Sequence, residues 1–245
     1  MENIKETFDF HALKREEILE LAKLASKVFT TYDPFLVEIQ VDDEDLYPTI
    51  KSDLEAIVDD NLVLAVRSNK TNKLVGAWAG ITLSKYFSKE PKNKTILEDI
   101  NLPKNIKELS YQQKSKYLDK IDKKLLIPVY LKHKEKNELK QAIFCDYFFV
   151  SDDYFGTDLA KQIVGEFFKL VTSNGIKHGY GSFFNPKAVK LMTGYGASTI
   201  HNQLNIYLGT KEDGNSIKFI SYLIGGDLIA NFSKASKANE KKANF

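Results

Sequence analysis

The sequence contains a single cysteine, Cys145, and only two arginines, Arg15 and Arg67, among 35 basic residues. One cysteine excludes an internal disulfide and a thiolate-built metal cluster. In an apolar run it reads as a small buried side chain. The scarcity of arginine removes the planar forks that grip phosphate bidentately. Basic and acidic residues nearly balance, 35 against 33, for a formal net charge of +2. No basic excess is present for nucleic acid to bind. The N-terminal stretch MENIKETFDF has no apolar signal core, and no run approaches the ~20 apolar residues of a membrane span. The expectation is a soluble, cytoplasmic protein without membrane contact. The motif G-x-G-x-x-G is absent, which excludes a Rossmann dinucleotide site. The four histidines, His11, His133, His178 and His201, include no two at ligand spacing along the chain, so no metal site is expected.

What is present is ample core material. Hydrophobic residues make up 43% of the 245, with 16 Phe and 12 Tyr. Residues 4–10 read as a first strand. Residues 13–29 carry Ile18, Leu21, Ala22, Leu24, Ala25, Val28 and Phe29 at helical spacing, and Asp33-Pro34 ends that helix. Pro48 marks a turn before a short helix. Residues 61–68 and 73–83 read as strands joined by the turn sequence NKTN, a hairpin. Residues 88–140 are lysine-rich, punctuated by Pro91, Pro103 and Pro128, and read as a helical insertion too poor in apolar residues to bury a core of its own. Residues 141–150 form an apolar strand of the kind covered on both faces. Residues 156–171 form a helix with a wide apolar side, ended by Gly175. A strand at 176–184 follows. The next helix opens with Asn185 as cap and Pro186 in its first position. A closing antiparallel pair comes next. The expected organisation is one domain over 1–232, with a disordered tail at 233–245.

The stretch VSDDYFGTDLAK, Val150–Lys161, joins a strand to a helix through one glycine, Gly156. Such a turn is a ready anion site, since unpaired N–H groups and the helix dipole point the same way. Asp152, Asp153 and Asp158 have the wrong charge for one. Carboxylates near a helix start can instead serve the turn and the dipole. Like charges ~4 Å apart repel by about 4 kcal/mol at an effective dielectric of 20, so Asp158 beside a phosphate would weaken binding severely. A carboxylate turned to solvent would escape most of that.

The order of elements resembles the GNAT superfamily of acetyl-CoA-dependent N-acetyltransferases, most closely its arylalkylamine N-acetyltransferase-like branch. Val150, Tyr154, Gly156, Leu159 and Ala160 fit its loop pattern V-x-P-x-Y-R-G-x-G-I-A. Asp152, Phe155 and Asp158 stand where Pro, Arg and a small residue are usual. The resemblance implies a mixed α/β fold with a central sheet of about seven strands flanked by helices. It implies acetyl-CoA held by Phe149, Val150, Tyr154, Phe155, Gly156, Thr157, Asp158 and Asn185. It also implies a general base at Asp33, in the family's acidic-Pro element. NPKAVKLMTGYG resembles the family's helix N-x-x-S-x-x-L-Y-x-K-L-G-F. Met192 stands there in place of the Tyr that serves as general acid, and Met has no proton to donate. Tyr195, about one turn on, is the substitute if the helix continues. Two functions follow: an N-acetyltransferase acting on a small-molecule amine, or a lapsed GNAT-like domain, a pseudoenzyme that binds protein partners.

Overall fold

The computed structural model describes residues 6–88, 100–209 and 217–228. In chain order the elements are β1 (Phe8–Ala12), α1 (Ile18–Tyr32), α2 (Pro34–Glu38), α3 (Asp43–Ile57), β2 (Val63–Ser68), β3 (Leu74–Thr82) and α4 (Leu83–Tyr86). Then come β4 (Ile100–Leu102), α5 (Tyr111–Glu135), β5 (Ala142–Val150), α6 (Leu159–Ser173), β6 (His178–Phe183), α7 (Pro186–Gly194), β7 (Ser198–Leu208) and β8 (Ile217–Asp227). The strands are ordered β1-β2-β3-β5-β6-β8-β7-β4. The strands read at 141–150 and 176–184 are neighbours, as β5 next to β6. The sheet is mixed: β1–β2, β2–β3, β6–β8 and β7–β8 pair antiparallel, and β4–β7 pairs parallel. The eighth strand, β4, is supplied by the lysine-rich segment.

The chain divides into two compact units. The first holds the residues up to Tyr32, Asp42–Gly80 and Cys145–Gly175. Its core is aromatic. Trp78 on β3 stacks on Phe167 of α6 at 4.4 Å, with Phe148 and Phe168 at 4.9 and 5.7 Å. The helix lies close to the sheet because β3 has a glycine beneath it. A Cβ on Gly76 would stand 2.8 Å from Ile163 Cδ1 and 3.0 Å from the Phe149 carbonyl oxygen. The hairpin turn falls on NKTN, with Asn72 in the left-handed region (φ 55) that its short amide side chain tolerates. Arg67 donates to Glu17 at 2.7 Å and to Glu20 at 3.2 Å, tying β2 to the start of α1.

The second unit holds Asp33–Val41, Ile81–Phe144 and the residues from Ile176 onward. Phe35 of α2 stacks on Phe184, after β6, at 4.5 Å and 10°. α5 buries Ile121, Leu125, Leu126, Val129 and Tyr130. Its buried Lys114 donates Nζ–H to the Gln40 carbonyl at 2.7 Å.

Two proline readings need correction. Pro48 lies inside α3 and Pro128 inside α5. Each removes one helical hydrogen bond. At Pro48 the loss falls on an exposed side, where Glu44 is also exposed, so water can take the freed carbonyl. At Pro128 the buried neighbours Leu125, Leu126, Val129 and Tyr130 hold the helix together. The helix expected from 156 begins at Leu159, because Gly156 has φ +78, outside helical geometry. The expected tail at 233–245 lies outside the described residues. Among the described residues no helix is long and apolar enough to cross a membrane.

Candidate functional site

The stretch after β5 forms the strand–turn–helix that its sequence implies. Phe149 and Val150 end the strand with their side chains in the core, and the Ser151 N–H pairs with the Val75 carbonyl at 2.7 Å. A helical turn over Asp152–Tyr154 follows, then Gly156 in the left-handed region. A Cβ at Gly156 would meet nothing within 4 Å, so the turn faces open space. Thr157 organises the helix start. Its hydroxyl donates to the Tyr154 carbonyl at 2.7 Å and accepts from the Leu159 N–H at 3.3 Å. Among the described residues the N–H groups of Gly156 and Ala160 have no hydrogen-bond partner. Tyr154 donates its hydroxyl to Glu6 at 2.8 Å.

The three aspartates do not converge on the turn. Asp158 occupies the N-cap position without capping. Its carboxylate instead pairs with Lys161 at 2.6 Å, and its side chain is 73% exposed. Asp152 accepts from the Tyr32 hydroxyl at 3.0 Å, a bond that holds its carboxyl below the usual range. Asp153 is exposed. Phe155, in the position where the family has Arg, is 51% exposed and meets the Tyr32 ring edge-on at 4.8 Å.

The other residues singled out by sequence belong to the second unit. Asp33 caps α2, and its Oδ1 accepts from the Phe35 and Leu36 N–H groups, both at 2.9 Å. Only Oδ1 is engaged in those bonds. Burial raises the Asp33 carboxyl above its usual range, against the lowering effect of the two backbone donors. Asn185 caps α7 through the Lys187 N–H at 2.9 Å. Met192 is buried, 3% exposed, and serves the core. The condition set for Tyr195 is not met, because α7 ends at Gly194. Two bonds, Gly196 N–H to Thr193 and Ala197 N–H to Met192, close the helix there, with Gly196 at φ +84. Tyr195 is the residue where the chain leaves the helix, half-buried.

Three features escaped sequence reasoning. In the first unit Tyr147 donates its hydroxyl to Asp53 at 2.5 Å, and burial raises the Asp53 carboxyl. In the second, Asp122 of α5 is half-buried. Burial pushes its carboxyl up to about 7 against a hydrogen bond with Ser182, with the Asp119 charge adding to the rise. A signal was available, since Asp122 lies on the stripe that runs from Leu118 to Leu126. The third is a cluster of His133, Glu138 and His178 in the second unit. Spacing along the chain pairs no two histidines, yet the fold brings the rings of His133 and His178 to 4.7 Å.

Compared by sequence, the chain matches no family model and no curated protein. Compared by structure, it is similar to the C-terminal condensation domain of Ebony, solved in complex with beta-alanyl-dopamine. The TM-score is 0.65 at 11% identity, over 91% of this chain and 99% of that one. It is similar to arylalkylamine N-acetyltransferase 2 from Aedes aegypti, with TM-score 0.55 and 11% identity, over 91% and 99%. It is similar to a protein from Salmonella typhimurium solved with its cofactor acetyl-CoA, with TM-score 0.51 and 7% identity, over 91% and 94%. The fold of this chain is that of the GNAT N-acetyltransferases.

Proposed function

We propose that this GNAT-fold chain transfers an acetyl group from acetyl-CoA to the amine of a small molecule. The observation that carries the proposal is the turn at Gly156. It is open, it precedes a 15-residue helix, and among the described residues the N–H groups of Gly156 and Ala160 have no partner. Such donors at the positive end of a helix dipole suit a pyrophosphate. Asp158, the residue most opposed to that role by sequence, has its carboxylate on Lys161 and in solvent. Repulsion across water is screened to a fraction of its value in a closed site. On this reading Phe149, Val150 and the turn Tyr154–Asp158, all in the first unit, would hold the group.

Acetyl-CoA, when bound, supplies the acetyl group as a thioester. Asp33 is the base, taking the proton that the attacking amine loses as the N–C bond forms and the C–S bond breaks. Its raised carboxyl makes it a better proton acceptor once ionised. Met192 has no proton to give, so water protonates the departing thiolate. The structural neighbours, one named an arylalkylamine N-acetyltransferase and one solved with beta-alanyl-dopamine, support a small amine as acceptor.

A second reading has its own observation. Met192 is buried where the family has its acid, and Phe155 stands exposed where it has Arg. Both suit a lapsed domain that binds protein partners. Thiol release from acetyl-CoA, measured against a panel of arylalkylamines and polyamines, separates the two. The proposal expects turnover with at least one class, and a loss of about 100-fold in kcat/KM in Asp33→Asn, which keeps the cap. Binding of acetyl-CoA without turnover on any amine would favour the lapsed domain.

A further inference from the structure

The cluster His133–Glu138–His178 is built by local rules that fix its geometry. α5 ends at Glu135, and Asn137 (φ 57) reverses the chain. The Glu138 N–H bonds the His133 carbonyl at 2.9 Å and the Asn137 N–H bonds that of Lys134 at 3.1 Å. These are the two bonds of a Schellman ending, and they return Glu138 to the side of His133. Its Oε2 stands 3.2 Å from His133 Nδ1. His178 opens β6, and its Nε2 lies 3.8 Å from the same oxygen. The three ligand atoms all lie within 4.8 Å of one another.

We propose that His133 Nδ1, Glu138 Oε2 and His178 Nε2 bind a divalent transition-metal ion, zinc being the best fit. Zinc takes imidazole nitrogen and carboxylate oxygen at about 2.0–2.2 Å, so tetrahedral ligands stand about 3.3 Å apart. Of the three separations, His133 to Glu138 already has that value, Glu138 to His178 closes with a shift of about half an ångström, and the two imidazole nitrogens, within 4.8 Å of each other, close by at most about 1.5 Å. The far side of His133 is also prepared. Its Nε2 lies 2.6 Å from the Tyr180 hydroxyl, which can accept the Nε2–H and leave Nδ1 free to bind metal. Burial keeps both imidazoles below their usual pKa and so in the neutral form that metal needs. Burial also pushes Tyr180 up to about 12, so it stays a phenol. The partly exposed side chains of His178 (22%) and Glu138 (29%) give the ion a way in. Lys132 and Lys136 oppose the ion and Asp227, paired with His178 across β6 and β8, favours it. Three protein ligands leave a fourth position to water, and the ion would clamp the end of α5 to the start of β6.

The test is a calorimetric titration of the full-length, chelator-stripped protein with zinc chloride. The expected result is one zinc per chain with a dissociation constant on the order of micromolar. His178→Ala and Glu138→Gln, both at partly exposed side chains, should each weaken it at least tenfold. Cobalt(II) should give the intense visible bands of a four-coordinate site in the unaltered protein and lose them in His178→Ala. No stoichiometric zinc at about 100 μM would overturn the proposal. So would zinc binding unchanged in both variants, since the ion would then sit elsewhere.

Discussion

At the residue scale, the sequence placed three carboxylates beside a phosphate-shaped turn, and the structure separates charge from position. Asp158 is in place, but its carboxylate reaches Lys161 at 2.6 Å with both side chains more than half exposed. Removal of an exposed paired charge changes little, since such pairs are worth about 0.2–1 kcal/mol. Asp158→Gly should therefore strengthen acetyl-CoA binding by about tenfold or less, where a carboxylate held against the phosphate would give up to about a thousandfold. Asp33 was legible as a candidate only through the resemblance, in its acidic-Pro element; by local signal alone Asp-Pro marks a helix stop. Its cap on α2 was not legible, since a five-residue helix leaves almost no periodicity to read. Its carboxyl lies above the usual carboxylate range, and a base must be ionised. kcat/KM should therefore rise with pH through that raised value, and the acid limb should vanish in Asp33→Asn. Asp122 yields a stability prediction with the opposite sense. Its folded pKa of about 7 exceeds its value in the unfolded chain, so folding takes up a proton. That contribution is complete below about pH 4 and is lost as pH rises through 7. Asp122→Asn should raise unfolding stability at pH 8 by on the order of 1 kcal/mol and flatten its pH dependence between about 4 and 7. Urea melts at several pH values measure both.

At the element scale, most strands and the helices α1 and α6 were readable, as was the start of α7 from its Asn185 cap and Pro186, but the start of α6 and the continuity of α3 and α5 through their prolines were not. The pattern from Ile18 to Val28 gave α1, and the apolar run 141–150 gave β5, because burial on one or both faces dictates those residues. Gly156 was visible as a turn, but a glycine letter does not say that the helix waits until Leu159. The hydroxyl of Thr157, not the more obvious Asp158, serves that start. Thr157→Ala should destabilise the protein by about 1 kcal/mol, and Asp158→Ala by less. Thermal melts of the two variants decide it. The prolines misled for a physical reason. Their penalty is local, and the buried neighbours of Pro128 and the exposed setting of Pro48 outweigh it.

At the scale of the whole molecule, element order carried more information than motifs did. The order of elements was enough to give the hairpin β2–β3 and the closing pair β7–β8, since each apolar strand must find a neighbour, but not the place of β8 beside β6 or the edge strand β4. The His133–Glu138–His178 cluster shows the limit of that legibility. Its members come from a helix, a turn and a strand, and only the pairing of β6 in the sheet brings them together. The fold itself does not decide the chemistry. That rests on the open donors of Gly156 and Ala160, and a calorimetric titration of the unaltered protein with acetyl-CoA tests them most directly. The expected result is saturable binding of one molecule per chain with a dissociation constant on the order of 10–100 μM. No saturable heat up to about 1 mM acetyl-CoA would contradict the assignment of this turn to a pyrophosphate.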